Sequence, residues 1–554
     1  MAKKSKLKII PLGGLNEVGK NLTVLEYGNE ILLIDCGMTF PDEEMLGIDM
    51  VIPDFTYLVK NKDKVKGVVL THGHEDHIGA IPFLLKVVNV PIFGTNLTLG
   101  LVQNKLKEHG LLSTTQLIRK IPGDMFKVGG FTVEFIRSNH SIADAVAVAV
   151  TTPVGTIVHT GDFKIDSTPV DGEMIDLTRL GQLGKKGVLA LFSDSTNAER
   201  PGFTMSERSV GIKFDDVFKS TKQRIIVATF ASNIHRVQQI ITAAHKTNRK
   251  VALSGRSMIN VLETAINLGY MKIPDNILVD IDDIGKYRPH QIVIITTGSQ
   301  GETMSALYRM AYSDHKKVEI VEGDLVIISA NPIPGNEKLV ANVVNELMKK
   351  GADVIHDRSA ELHVSGHACQ EELKIMLALT KPKYFIPVHG EYSFLKTHAN
   401  LARYMGIEKK NIFIMENGKV LELSPDSARI SGTVPAGITL VDGLGVGDVG
   451  NIVLRDRKKL SEDGVIVVVV SISSETHAMV GQAEIISRGF VYVRESGDLM
   501  DHIREVATDC MSACTKNNIY DWATIKANLK SKISECLFQE TKRNPMIIPI
   551  IIDV

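Results

Sequence analysis

Apolar runs that break off abruptly into polar loops recur along this chain, and they constrain its fold more than any bulk property does. They read VVLTHGHEDH (68–77), VEFIRSNHS (133–141), TIVHTGDFK (156–164), LALFSDSTN (189–197) and KYFIPVHGEY (383–392). A short apolar run closed by polar residues reads as a buried strand. The carboxyl ends of such strands are where open α/β sheets keep their reactive groups. An α/β fold with its chemistry at strand ends is therefore expected.

At 554 residues the chain exceeds a single hydrophobic core, so several domains are expected. Residues 7–70 alternate as short strands with Gly and Asn/Asp turns, which predicts an antiparallel sheet. From 71 to 195 strands alternate with helical stretches. A second βα series follows (RIIVATFASN, KVALSGRS, QIVIITTGSQGE, DLVIISANPIPG) and reads as a doubly wound domain over 209–371. The strand-then-histidine style returns at KYFIPVHGEY, so that domain is read as an insertion. The division is 1–208 and 372–425 for the two parts of the first domain, 426–454 for a linker, and 455–554 for a small α+β domain.

The 63 basic and 64 acidic residues leave a net charge of −1, so a polyanion would need a local groove or metal ions to hold it. Five cysteines (36, 369, 510, 514 and 536) make no disulfide framework and point to a reducing compartment, the cytoplasm. Cys510 and Cys514 read as structural thiols. The longest apolar runs, GVIVVVVSI and MIIPIIIDV, fall short of a membrane span, and no export leader is expected. Two motifs are set aside. GLNEVGKN (14–21) fits a phosphate loop except for its final Asn, and the strand-like LTVLEYG follows it, so a hairpin turn is the better reading. RGFVYV (488–493) echoes part of an RNA-recognition strand and is read as an ordinary one.

THGHEDH concentrates His72, His74, Asp76 and His77 in one loop. Neutral imidazoles and carboxylates are the ligands that zinc-like ions prefer. His72 and His74 can reach one ion, while Asp76 and His77 point to a second, roughly 3.5–4 Å away in two-metal hydrolytic centres. One loop cannot close both shells, and His140, Asp162 and His389, each at the mouth of an apolar strand, are candidates to complete them.

On these residues the sequence resembles the metallo-β-lactamase fold, an αββα sandwich. Asp194 in SDST, His367 in HVSGHA and His389 in PVHGEY resemble the further motifs of the β-CASP nucleases. The likeness extends over essentially the full length to the bacterial ribonuclease J family, through PDEEMLGIDMVIPD, FASNIHR, TTGSQGE and NIVLRDRK. The resemblance implies that His72, His74 and His140 hold one divalent ion and that Asp76, His77 and His389 hold the other, with Asp162 bridging. Zinc is the first choice, with manganese or magnesium as alternatives. It also implies that His367 stabilises the phosphorane or donates a proton to the leaving oxygen, that Asp194 orients a ligand histidine, and that Asp35 is structural support. Ser232, Asn233, Ile234, His363, Val364, Ser365, Gly366 and His367 would form a pocket for an RNA 5′-monophosphate. Gly47, Asp49 and Asp442 are candidates for a structural calcium.

The activity so implied is a 5′-to-3′ ribonuclease with some endonuclease activity, in mRNA decay and rRNA maturation, assembled as a homodimer or homotetramer with RNA and RNA-decay proteins as partners. Two other nucleolytic or hydrolytic readings stay open. A DNA-directed β-CASP nuclease is disfavoured by His389, and a small-molecule metallohydrolase would lack the inserted domain. A scaffold whose metals serve only folding is disfavoured by the complete ligand set.

Overall fold

Leu7–Gly13 pairs antiparallel with Leu22–Tyr27, and that strand with Glu30–Ile34, as the alternating pattern predicts. Val65–Val69 then joins Glu30–Ile34 in parallel rather than antiparallel. The reason is the long connection between them, which carries the short helix Thr56–Lys60; only such a crossover can return a strand in the same direction. The structure, a computed structural model, describes residues 6–302, 305–333, 336–356, 361–491 and 497–554. Two units are distinguished, Met1–Thr39 with Ile52–Thr439, and Phe40–Val51 with Leu440–Val554.

In the first unit, Ile92–Gly94 and Leu117–Arg119 extend the first sheet through the helices Ile81–Val87 and Asn96–Glu108, giving eight strands. A second sheet has six strands, in the order Tyr384–Val388, Val188–Asp194, Gly155–His159, Val146–Thr152, Phe131–Arg137 and Met125–Val128. Its last four members form an antiparallel meander, not the expected strand–helix alternation. Gly129 at a φ of 55° supplies the left-handed turn that lets the chain reverse directly between two of them.

The two sheets pack face to face. Leu7, Leu25, Leu32 and Val69 of one meet Phe135, Val148, Ile157, Phe192 and Ile386 of the other in one buried cluster. The outer face of the second sheet is covered by Leu177–Lys186 and Gln370–Thr380 through Leu180, Leu373, Met376 and Leu377. Together with the helices on the first sheet this is the αββα sandwich. An all-parallel sheet of six strands, between Ile225 and Ile355, makes the inserted α/β layer. Its strands are apolar on both faces, as strands covered by helices must be.

Part of the segment read as a linker is strand: Ala428–Thr433 closes the edge of the eight-stranded sheet. Its side chains are largely exposed, so the apolar signal was weak, and the turn SPDS joins it to Lys419–Leu423 with Ser424 and Ser427 bonded across it. In the second unit, Val465–Ile472 lies between Glu484–Arg488 and Met546–Asp553. Every second residue of the central strand is buried beneath the helices Gly497–Lys516 and Trp522–Thr541, a core that also encloses Cys510 and Cys514. Of RGFVYV, read as a strand, only Arg488 lies in one among the described residues: Glu484–Arg488 ends where Gly489 turns at a φ of 69°, and Tyr492 and Val493 lie outside the described residues. Among the described residues no helix is long and apolar enough to cross a membrane.

Candidate metal centre

Strand direction gathers the reactive loops. Phe131–Arg137, Gly155–His159, Val188–Asp194 and Tyr384–Val388 all run the same way, because Val146–Thr152 pairs antiparallel to the first two and the last three are parallel. His140, Asp162, Asp194 and His389 therefore emerge at one edge. In the facing sheet, the ends of Glu30–Ile34 and Val65–Val69 bring Asp35 and the histidine loop to the same place. Two turns there are tight: Asp35 and His389 sit in the left-handed region, at φ of 61° and 59°. Such a backbone is uncommon for residues other than glycine and concentrates at functional sites.

The side chains meet in two groups that share one carboxylate. His74 Nδ1 lies 3.1 Å from both His72 Nε2 and His140 Nε2, and those two atoms each lie 3.6 Å from Asp162 Oδ2. On the other side, His77 Nε2 is 3.3 Å from Asp162 Oδ1 and 3.5 Å from Asp76 Oδ2. His389 Nε2 is 3.1 Å from Asp76 Oδ2 and 3.6 Å from Asp162 Oδ1. Metal–ligand bonds of about 2.0–2.1 Å in a tetrahedron separate the ligand atoms by roughly 3.3 Å. Both groups match that spacing, and the two oxygens of Asp162 divide between them. The donor set thus fits a pair of divalent ions.

The opposite ring nitrogens of His72, His77, His140 and His389 are committed to partners, which fixes the orientation of those rings. His77 Nδ1 donates to Asp35 Oδ2 at 2.7 Å, and His140 Nδ1 to the carbonyl of Gly366 at 2.7 Å. Thr71 Oγ1 donates to Asp35 Oδ2 and lies 3.0 Å from His72 Nδ1. Thr196 Oγ1 stands 2.7 Å from His389 Nδ1 and donates to Asp194 Oδ1 at 2.7 Å. Burial holds His72 and His140 well below the usual imidazole pKa and His74 at about 4, so all three are neutral donors. Burial opposes ionisation of Asp162, but the imidazoles of His389 and His77 outweigh it and keep the carboxyl well below the ordinary range.

Asp194 meets His367 directly, Oδ2 to Nδ1 at 2.8 Å, and reaches His389 through Thr196. Burial would lower the pKa of His367; the Asp194 carboxylate overrides it and raises it. Ser365, Gly366 and His367 form the loop beside this cluster of histidines and carboxylates. Gly366 has no alternative there, since a Cβ would come within 2.6 Å of the His140 ring. Asn197 Nδ2 ties the loop down by donating to Ser365 Oγ at 2.8 Å and the His367 carbonyl at 2.9 Å. Asn233 caps the helix Ile234–Lys246 by accepting from the amide of Arg236, with Ile234 buried behind it and Ser232 half-exposed before it. Arg236 joins this turn to the other strip of the pocket, donating to His363 Nδ1 at 2.7 Å and to the Val364 carbonyl at 3.3 Å.

Residues the sequence reading did not single out hold this arrangement: Thr71, Thr196, Asn197 and Arg236. Thr196 and Arg236 lie inside the motifs SDST and FASNIHR, but only the fold brings them to His389 and His363. Asn21, from the set-aside phosphate-loop motif, has its Nδ2 3.0 Å from the Asp76 carbonyl and 3.1 Å from His77 Nε2, and Gly14 O accepts from the His389 amide. That stretch is the hairpin loop between Leu7–Gly13 and Leu22–Tyr27. Around the calcium candidates Gly47, Asp49 and Asp442, Arg457 binds the Asp442 carboxylate and donates to the Leu46 carbonyl at 2.9 Å beside Gly47, while Asp49 accepts from the amide of Gly443.

The sequence matches four family models: "Metallo-beta-lactamase superfamily" over residues 15–174, "Ribonuclease J, beta-CASP domain" over 222–347, "Zn-dependent metallo-hydrolase RNA specificity domain" over 355–415 and "Ribonuclease J C-terminal domain" over 452–554. It is 45% identical to Ribonuclease J2 of Bacillus subtilis strain 168 over 556 residues, covering 100% of each chain. It is 46% identical to Ribonuclease J 1 of Streptococcus pyogenes over 550 residues, 99% of this chain and 98% of that one. A solved structure of a protein of unknown function from Enterococcus faecalis V583 overlays with a TM-score of 0.54 at 17% identity, over 76% of this chain and 100% of that one, and supports the fold alone. Fold and site define a metal-dependent hydrolase of the metallo-β-lactamase superfamily carrying an inserted β-CASP domain. The chain belongs to the ribonuclease J family.

Proposed function

We propose that this ribonuclease removes nucleotides in the 5′-to-3′ direction from RNA that carries a 5′-monophosphate, cuts internally as well, and serves mRNA decay and rRNA maturation in the cytoplasm. The observation that carries the reading is the course of residues 363–367. One end of that strip is held by Arg236 beside the turn at Asn233, and the other is bonded to the ligand His140 and to Asp194. A terminal phosphate bound along it would lie a short step from the metals, so an end-anchored strand is cut near its end.

When bound, the two ions, zinc first by the donor set, supply an activated water and offset charge on the phosphorus. His72, His74, His140 and Asp162 would hold one, and Asp162, Asp76, His77 and His389 the other. His367, protonated against Asp194, gives its proton to the leaving 3′-oxygen, and the products are a 3′-hydroxyl and a 5′-phosphate. Ser232, Asn233, His363, Ser365 and Gly366 grip the phosphate with amides and hydroxyls.

Residues 1–208 with 372–425 form the hydrolytic domain in this reading, 209–371 the insertion, and 455–554 an assembly domain for a homodimer or homotetramer, with other RNA-decay proteins as further partners. An apolar face on the last of these supports assembly: Ile486, Ile548, Ile550 and Ile552 are all exposed on one side of its sheet. The test is turnover of 5′-monophosphorylated against 5′-triphosphorylated RNA. The monophosphate is degraded faster, and His74→Ala abolishes both; equal rates on the two ends would overturn the reading.

A further inference from the structure

The helical pair of the second unit carries ligand-type side chains that the hydrolytic centre does not use. Cys536 and Glu540 lie four residues apart on the helix Trp522–Thr541, and so share one face. His502 meets them from Gly497–Lys516. Cys536 Sγ is 3.7 Å from His502 Nδ1 and 3.9 Å from Glu540 Oε1, and these last two atoms are in hydrogen-bond contact with each other.

A tetrahedral zinc with bonds of about 2.3 Å to sulfur and 2.0–2.1 Å to nitrogen sets those two ligand atoms roughly 3.6 Å apart. The sulfur edges of this triangle match. The remaining edge is the hydrogen bond that an incoming ion replaces, and contacts of the same kind link His74 to His72 and His140 in the hydrolytic centre. Cys536 is only 9% exposed, walled by the helix seam, whereas the side chains of His502 and Glu540 are 48% and 37% exposed. An ion could therefore enter from solvent and keep a fourth position open to water. The plainer reading is a surface His–Glu pair, worth little by itself, above a core cysteine. It leaves the convergence of three different donor types on one point to chance.

We propose that His502, Cys536 and Glu540 form a third cation site, structural in role, which takes a zinc-class divalent ion and pins the two helices together. Thiolate beside imidazole and carboxylate selects a borderline-soft ion over magnesium or calcium. Binding releases the thiol proton to solvent, leaves the neutral imidazole of His502 with its proton on Nε2, and bonds the ion to Sγ, Nδ1 and Oε1.

Cobalt(II) is the probe, added to the chelator-stripped full-length chain. Cobalt bound to thiolate has a near-ultraviolet charge-transfer band that imidazole and carboxylate ligands do not give, so the hydrolytic centre is silent there. Wild type is expected to bind one more cobalt per chain than Cys536→Ser, and only wild type to show the band, while RNA turnover with metals restored is the same in both. His502→Ala, at a half-exposed position, is expected to weaken the band's cobalt affinity roughly tenfold or more. Equal cobalt content in wild type and Cys536→Ser, or a band that survives in Cys536→Ser, overturns the proposal.

Discussion

Arg236 Nη1 donates to Nδ1 of His363 across 2.7 Å, and a guanidinium can only donate, so the proton of the neutral imidazole is confined to Nε2. Burial and the adjacent charge of Arg236 hold His363 well below the usual imidazole pKa, which agrees. Arg236 is itself fully buried, forks onto both oxygens of Glu207 at 2.8 Å, and donates to the carbonyls of Ser329 and Val364. Arg236→Lys keeps the charge but loses the fork. The variant is expected to lose selectivity for 5′-monophosphorylated over 5′-hydroxyl RNA, mainly through KM, with internal cleavage of a circular RNA little changed. A parallel fall in both activities would mean general damage to the fold.

Thr196 links Asp194 to His389 through one hydroxyl, and Thr196→Val removes that hydroxyl at nearly constant shape. His389 Nδ1 would lose its partner at 2.7 Å, and with it the fixed orientation of the ring. Supports of this kind typically contribute 10–100-fold in metal affinity. Chelator titration followed by elemental analysis is expected to find one of the two ions released at 10–100-fold lower chelator concentration, with the other retained. If both ions hold as tightly as in wild type, Thr196 is not a support.

The histidine loop was legible because its chemistry is local: four ligand-type side chains fall within residues 72–77, and a short apolar run precedes each distant member of the cluster. The sandwich was legible where strands are buried on both faces, as at 188–194. Ala428–Thr433 was missed because an exposed edge strand carries no apolar pattern, and the meander at 125–159 because a run of apolar strands does not reveal its connections. Thr196 and Arg236 were out of reach for a different reason. Their meaning is a hydrogen bond across 193 and 127 residues of chain, and nothing in a threonine or arginine declares that partner.

Ile548, Ile550 and Ile552 pair with Val467, Val469 and Ser471 on the outer face of the second unit's sheet. Ile550→Lys sets a charge in the middle of that face without touching the buried side, where Ile547 and Ile551 pack. The expected outcome is a smaller assembly by light scattering after size exclusion, with the protomer's melting temperature nearly unchanged. An unaltered mass would remove this face as the assembly surface.

His398 supplies a pH dependence that stands apart from the metals. It is fully buried on the helix Tyr392–Tyr404, with Nδ1 3.0 Å from Ser195 Oγ and its ring edge-on to Phe385. Burial pushes its pKa down to about 3, against only a weak opposing pull from Asp194. In the unfolded chain the same imidazole titrates near 6.5. Between those values the unfolded state binds a proton that the folded state refuses, so stability is full above about 6.5 and falls as pH drops toward 3. Between pH 7 and pH 5 the loss amounts to about 2 kcal/mol. His398→Gln cannot take up that proton. Measured by urea denaturation on the chelator-stripped proteins, wild type should be the more stable at pH 7, and the gap between the two should close by about 2 kcal/mol at pH 5. A gap that stays constant with pH would mean that His398 is charged, or already hydrated, inside the fold.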